Sequence, residues 1–135
     1  MANTITNTRL LANEQRVIQY ICISSDGTEE TNLIIYDSSA VATAVGIADP
    51  LKCTIMRARY VSDSALGVVH LDFDASTDVL ALAMPYNGSS MDMDFKDIGG
   101  LKNTAGTGIT GDILLTTTGL VAGDKITLIL EVRPN

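Results

Sequence analysis

Tryptophan is absent from this chain, and the other aromatics are limited to four Tyr and two Phe. Sugar subsites need aromatic platforms, so a paired-carboxylate glycosidase and a carbohydrate-binding module are both disfavoured. There is one histidine, His70. It stands between Val69 and Leu71 on the polar side of an alternating stretch, and no Ser or Cys motif surrounds it. A nucleophile-base triad is therefore not expected, and His70 reads as exposed or loosely paired. The two cysteines, Cys22 and Cys53, are too few for a disulfide framework or a zinc site. They read as small buried hydrophobes, with a single bridge between them as the alternative.

Lysine is scarce, occurring only at positions 52, 96, 102 and 125. Mean hydropathy is nonetheless +0.24. Few lysines with excess apolar content imply that another chain covers part of the surface. Sixteen acidic residues against nine basic ones leave a net charge of −7, which excludes a free-standing nucleic-acid binder. No apolar run approaches the ~20 residues of a membrane span. Residues 1–15 have only Leu10-Leu11 as an apolar pair, so no secretory leader is expected.

What the chain does have is period-two alternation. Its 135 residues fit one domain. Strands are expected at 15–24, 28–37, 51–61, 68–74, 79–84, 90–96, 112–118 and 125–133. Ser25-Asp26-Gly27 reads as a turn that makes the first two a hairpin. Residues 38–48 are ambiguous. Ser39 could cap a short helix, while Val41, Thr43 and Val45 favour extended chain. Asp49-Pro50 and Asn87-Gly88 punctuate. The result is an all-β fold, an antiparallel sandwich or barrel of about eight strands, jelly-roll-like or immunoglobulin-like. Residues 1–14 read as an extended arm before a single domain at 15–135.

Several strands are apolar on both faces. From Val17 to Ile23 only Gln19 is polar, and Leu33 to Tyr36 has no polar member. Ile129 lies on the face opposite Ile126, Leu128 and Leu130. A two-layer sandwich buries one face per sheet, so these second faces call for cover by loops or by another subunit.

Four motifs carry possible chemistry. Gly106 to Gly111 spells G-x-G-x-x-G but opens a strand instead of a helix, so it reads as a flexible connection. Asp72, Asp74, Asp92 and Asp94 form two D-x-D pairs. If their strands were neighbours, the four carboxylates could converge on Ca²⁺, although flat strand faces rarely supply six oxygens; two solvated faces are the plainer reading. Asn87-Gly88-Ser89 fits a glycosylation sequon and reads more simply as a turn. Arg57 and Arg59 share a strand face, placed either to clamp a partner's carboxylates or to pair with acids of this chain. No cofactor is expected.

The segments GITGDILLTTTG (108–119), AGD (122–124) and LILEVR (128–133), with VHLDFD (69–74), resemble the C-terminal region of small all-β virion proteins of tailed bacteriophages. The likeness spans about residues 67–133. It implies a non-enzymatic structural protein, most commonly a capsid decoration (cement) protein. Such a protein sits on the virion exterior against the major capsid protein, often as a trimer, and waits in the host cytoplasm before assembly. A neck or tail subunit is the alternative within that class. A receptor- or glycan-binding β-sandwich is the alternative outside it. The residues expected at the interface are Leu10, Leu11, Arg57, Arg59 and Ile129.

Overall fold

Strands whose alternate residues are Ile, Leu or Val must bury one face, and in the computed structural model of this chain they do so in two stacked sheets. The structure describes residues 3–13, 15–46, 53–63, 67–84 and 90–134. Among them are ten strands: β1 (Thr4–Ala12), β2 (Val17–Ser24), β3 (Leu33–Tyr36), β4 (Thr54–Ser62), β5 (Val68–Phe73), β6 (Val79–Ala83), β7 (Ser90–Asp94), β8 (Leu101–Lys102), β9 (Ile113–Thr118) and β10 (Lys125–Arg133). One α-helix, α1 (Ser38–Val45), and a short 3-10 turn, Lys96–Ile98, accompany them. None of the described helices is long and apolar enough to cross a membrane.

The six-stranded sheet runs β1-β2-β10-β4-β7, with β8 also on β4; the four-stranded sheet runs β3-β9-β5-β6. All pairings are antiparallel. Leaving aside β1 and the two-residue β8, the other strands pass back and forth between the sheets, with only β5 and β6 consecutive in one, in the double Greek-key order of a jelly roll. The expected all-β sandwich is therefore present, in its jelly-roll form.

The core lies between the sheets. From β10 it takes Ile126, Leu128, Leu130 and Val132, from β2 Val17, Ile21 and Ile23, and from β5 Val69, Leu71 and Phe73. Ile113 and Leu115 of β9 close the other side. Each of these is an i, i+2 series, so period two alone places them on one face.

One expectation about local structure fails, and one ambiguity is resolved. The hairpin of 15–24 with 28–37 does not form, because β2 already has β1 on one edge and β10 on the other. The chain beyond Ser25-Asp26-Gly27 is taken up instead by β9: the Glu30 N–H donates to Thr117 Oγ1 (2.9 Å), and the Thr117 N–H donates to the Glu30 carbonyl (2.9 Å). It then continues along β9 as β3. Residues 38–45 are helical in spite of their β-branched members. Asp37, not Ser39, is the cap. Its carboxylate accepts from the Ala40 N–H, and Gly46 ends the helix with φ 76°, its N–H donating to the Ala42 carbonyl. Two good caps and the burial of Val41 and Ala42 outweigh a modest propensity cost.

Residues 4–12 of the expected arm form β1, registered along β2 from Thr4↔Ser24 to Ala12↔Val17, with a bulge at Leu10. Asn3 fastens its start. The Asn3 amide donates to the Thr28 carbonyl (2.9 Å) and to Glu30 Oε2 (2.7 Å), and its oxygen accepts from the Asp26 N–H (3.0 Å). Of the glycines in the G-x-G-x-x-G string, Gly108 serves close packing: it has φ +79°, and a Cβ there would collide with Ser76, whereas a Cβ at Gly106 would meet open space. The string leads into β9, as its context predicted. The Asp49-Pro50 and Asn87-Gly88-Ser89 readings lie outside the described residues.

Candidate functional site

The strand register decides which outward side chains become neighbours. On the outer face of the six-stranded sheet it lays out three rows. The first is Leu11, Ile18, Glu131, Arg57, Asp94; the second is Thr8, Tyr20, Ile129, Arg59, Asp92; the third is Thr6, Cys22, Thr127, Val61, Ser90. The centre of this face is apolar, formed by Ile18, Tyr20 and Ile129, with Leu11 (39% exposed) and Val61 (57% exposed) at its borders. A shallow depression of about 130 Å³ lies over it, lined by Arg16, Ile18, Arg57, Arg59, Ile129 and Glu131.

Charge is organised around the depression. Glu131 is nearly buried, with 8% of its surface exposed, yet holds two cations: Arg16 Nη2 at 3.1 Å and Lys96 Nζ at 3.5 Å. Burying a carboxylate is tolerable only with such partners. Arg57 grips Asp92 through two parallel bonds, Nε to Oδ1 (2.9 Å) and Nη2 to Oδ2 (2.8 Å). The hydrogen bonds from Arg57 hold the Asp92 carboxyl below its ordinary value, and Asp92 in turn raises Arg57. The bidentate clamp expected for a partner's carboxylate is thus already filled at Arg57 by an acid of this chain. Arg59 is different. It reaches Asp92 Oδ2 only at 3.5 Å, and its side chain is 52% exposed.

Of the expected interface residues, Leu11, Arg57, Arg59 and Ile129 therefore meet on one face. Leu10 sits at the bulge on the edge of the same sheet, 58% exposed. Sequence reasoning missed Arg16, Ile18, Tyr20 and Glu131 as members of this face. The two-sided apolar character of 17–23 was the available signal for Ile18 and Tyr20. The pairing of Arg16 with Glu131 spans 115 positions and had no local signal.

The four aspartates do not converge. Asp72 lies in β5 of the four-stranded sheet and Asp74 just after it, opposite buried Leu71 and Phe73, whereas Asp92 and Asp94 belong to β7 in the other sheet. The pairs point away from each other on opposite sides of the sandwich, which removes the proposed calcium cradle. Each acid is otherwise engaged: Asp72 lies 3.7 Å from His70 Nε2, Asp74 accepts from Thr110 Oγ1 (2.7 Å), and Asp94 accepts from the Lys96 N–H (2.9 Å). No group of three or more metal-ligating side chains occurs among the described residues.

Both cysteines are free thiols. Cys22 pairs in register with Thr127, while Thr54, next to Cys53, pairs with Arg133, which is ~20 Å further along β10. That separation rules out a bridge. Cys53 is buried, and burial pushes its thiol up to about 12. Cys22 is only half-buried, on the outer face, so the reading of both as core residues holds for Cys53 alone.

Comparison with protein-family models gives no match, and comparison with curated proteins gives none. Among solved structures, a cupin domain from Bordetella pertussis Tohama I is similar at a TM-score of 0.36 and 11% identity, over 98% of this chain and 96% of that one. The jelly-roll description above rests on strand order and register, independently of that likeness.

Proposed function

We propose that this chain is a non-enzymatic virion structural protein, a decoration protein that binds the major capsid lattice from outside through the outer face of the six-stranded sheet. The observation that carries this reading is the apolar strip Leu11-Ile18-Tyr20-Ile129, exposed at Leu11 and half-buried elsewhere, on the outer face beside Arg59. A lone sandwich has no use for apolar side chains on a solvent face, whereas a chain that caps a lattice needs a broad, slightly greasy surface with an oriented charge. Charge placement supports the same reading. Four basic groups (Arg16, Arg57, Arg59, Lys96) meet three acids (Asp92, Asp94, Glu131) on this side, which leaves it a small positive excess in a chain whose net charge is −7. The rest of the surface is strongly acidic, which suits a protein that must stay off nucleic acid while it finds an acidic, apolar-lined site on a shell. The resemblance of residues 67–133 to phage virion proteins points the same way.

The test is sedimentation of the purified protein with expanded shells that lack it. Co-sedimentation is expected, saturating at a copy number set by the lattice. Arg59→Glu and Ile129→Lys should each reduce it while leaving the circular dichroism spectrum unchanged. Saturation at the copy number of a portal or tail ring would reassign the protein to the neck or tail. No co-sedimentation at micromolar concentration would end the decoration reading.

A further inference from the structure

The six-stranded sheet ends in β1 on one side and in β7 and the two-residue β8, both on β4, on the other; the four-stranded sheet ends in β3 and β6. An edge strand offers a row of unpaired backbone N–H and C=O groups, and natural proteins blunt such edges by shortening, charging or covering them. β7 is five residues long and carries Asp92 and Asp94. β3 has only four residues. β6 has five, and its Leu80 and Ala81 share a hollow with Ile98 of the 3-10 turn, Leu101 of β8 and Thr104. β1 has none of these protections. It is nine residues long, with no proline and no acid, Arg9 is its sole charge, and every residue from Thr4 to Leu11 is exposed. It is also held firmly, by the Asn3 bonds at one end and by reciprocal backbone bonds between Asn13 and Arg16 (2.9 and 3.4 Å) at the other. A long, fixed edge with a single charge, regular from Thr4 to Arg9 and bulged only at Leu10, is a preformed half of a strand pair.

We infer that β1 pairs antiparallel with β1 of a second copy of this chain, across a twofold axis perpendicular to the six-stranded sheet. Charge selects this occupant. Two copies at −7 repel over most of their surfaces, and pairing through β7 would set Asp92 and Asp94 against their own copies. Pairing through β1 brings no carboxylate against another. With Thr8 near the axis, Arg9 faces Asn7 of the second copy and the two guanidiniums stay apart. Head-to-tail joining of β1 to β7 is the weaker alternative. The two strands run in the same direction within the sheet, so their junction would be parallel and at most five residues long. The twofold arrangement covers the exposed edge around Leu10. It continues the sheet across both copies and leaves their outer faces on the same side, doubling the surface available for docking. The inference stands whether or not that surface meets a capsid.

Sedimentation velocity of the full-length chain reads the result directly: a species of twice 14.3 kDa is expected. Thr6→Glu with Thr8→Glu places like charges across the axis at exposed positions, and should weaken the dimer by about tenfold or more at an unchanged circular dichroism spectrum. As a second reading that tolerates a fragile variant, Thr8→Cys in a Cys22→Ser background should form a disulfide-linked dimer on mild oxidation, in higher yield than Thr4→Cys. A monomer at high micromolar concentration overturns the inference. So does a trimer, or a glutamate variant that dimerises as tightly as the parent, or equal cross-linking at positions 4 and 8.

Discussion

The two outer faces of this sandwich come from the same alternating pattern and end differently. On the four-stranded sheet, the polar outward groups satisfy one another. Asp72 lies near His70 (3.7 Å), Asp74 takes the Thr110 hydroxyl (2.7 Å), and Thr116 reaches Asn32 (3.4 Å). Its exposed apolar residues, Ile34 and Leu80, lie at opposite borders, with buried Leu114 and half-buried Asp72 between them in the same row. Scattered apolar side chains of this kind are ordinary on any protein surface. On the six-stranded sheet, the apolar residues fall side by side across three strands and the charges ring them. The difference lies in lateral arrangement more than in composition. On this face, register places the apolar residues in one strip.

That contrast can be broken or sharpened by substitution. The largest effect belongs to neither outer face. Leu130→Ala on the inner side of β10 should cost about 2–5 kcal/mol in urea unfolding, because Leu130 is fully buried in the core. Its neighbour Ile129→Ala, on the outer side, should cost about 1 kcal/mol or less. Equal costs would mean that the outer face is part of the core and not open.

Next comes the comparison of faces. Ile129→Lys and Arg59→Glu are expected to weaken shell binding by about tenfold or more, whereas Ile34→Lys and Leu80→Lys on the other sheet should leave it within about twofold. Loss of binding from the second pair would move the docking surface to the four-stranded sheet.

The cysteines give a smaller, pH-dependent contrast. Burial raises the Cys53 thiol to about 12, so it stays protonated in the fold after it has ionised in the unfolded chain. A group whose folded value is raised gives stability that is complete below the unfolded value, ~8.5 for cysteine, and is lost as pH climbs toward the folded one. Stability should therefore decline between about pH 9 and 12. Cys53→Ala should flatten that decline, and in native protein a thiol reagent should modify Cys22 well before Cys53.

The smallest effect concerns the clamp. Asp92 is held below its ordinary value by Arg57, so its contribution is complete above the usual carboxylate range and is lost as pH falls through the lowered value. Asp92→Asn should remove a shallow acid-side dependence of the melting temperature, and high salt should mask the difference because the pair is exposed. A steep dependence that persists in Asp92→Asn would assign it to other carboxylates.

Much of the fold was legible in the chain. The inward series Ile126-Leu128-Leu130-Val132 and Val69-Leu71-Phe73 needed only period two, and the expected bounds of the last strand, 125–133, match β10 residue for residue. The helix at 38–45 was legible only as one of two readings, because its caps at Asp37 and Gly46 act against β-branched residues inside it. The hairpin was misread for a different reason. A turn motif specifies that the chain reverses, but not which neighbouring strand it then meets. Of the site, Arg57, Arg59 and Ile129 were visible as side chains on unexpected or shared faces. Arg16 and Glu131 were not, since their partnership exists only once β10 lies beside β2.

Local alternation and turn chemistry are properties of short segments, and the amino-acid sequence alone determined them here: an all-β chain with its buried series, its two-sided apolar strands and its acidic balance. Which strands are neighbours is a property of long-range pairing. Tertiary structure alone therefore decided that two pairs of aspartates part company, that Arg57 spends its fork on Asp92, and that Leu11, Ile18, Ile129 and Arg59 come to share one surface. Distances along the chain do not encode such juxtapositions, because register across a sheet is settled by the burial of a whole face at once.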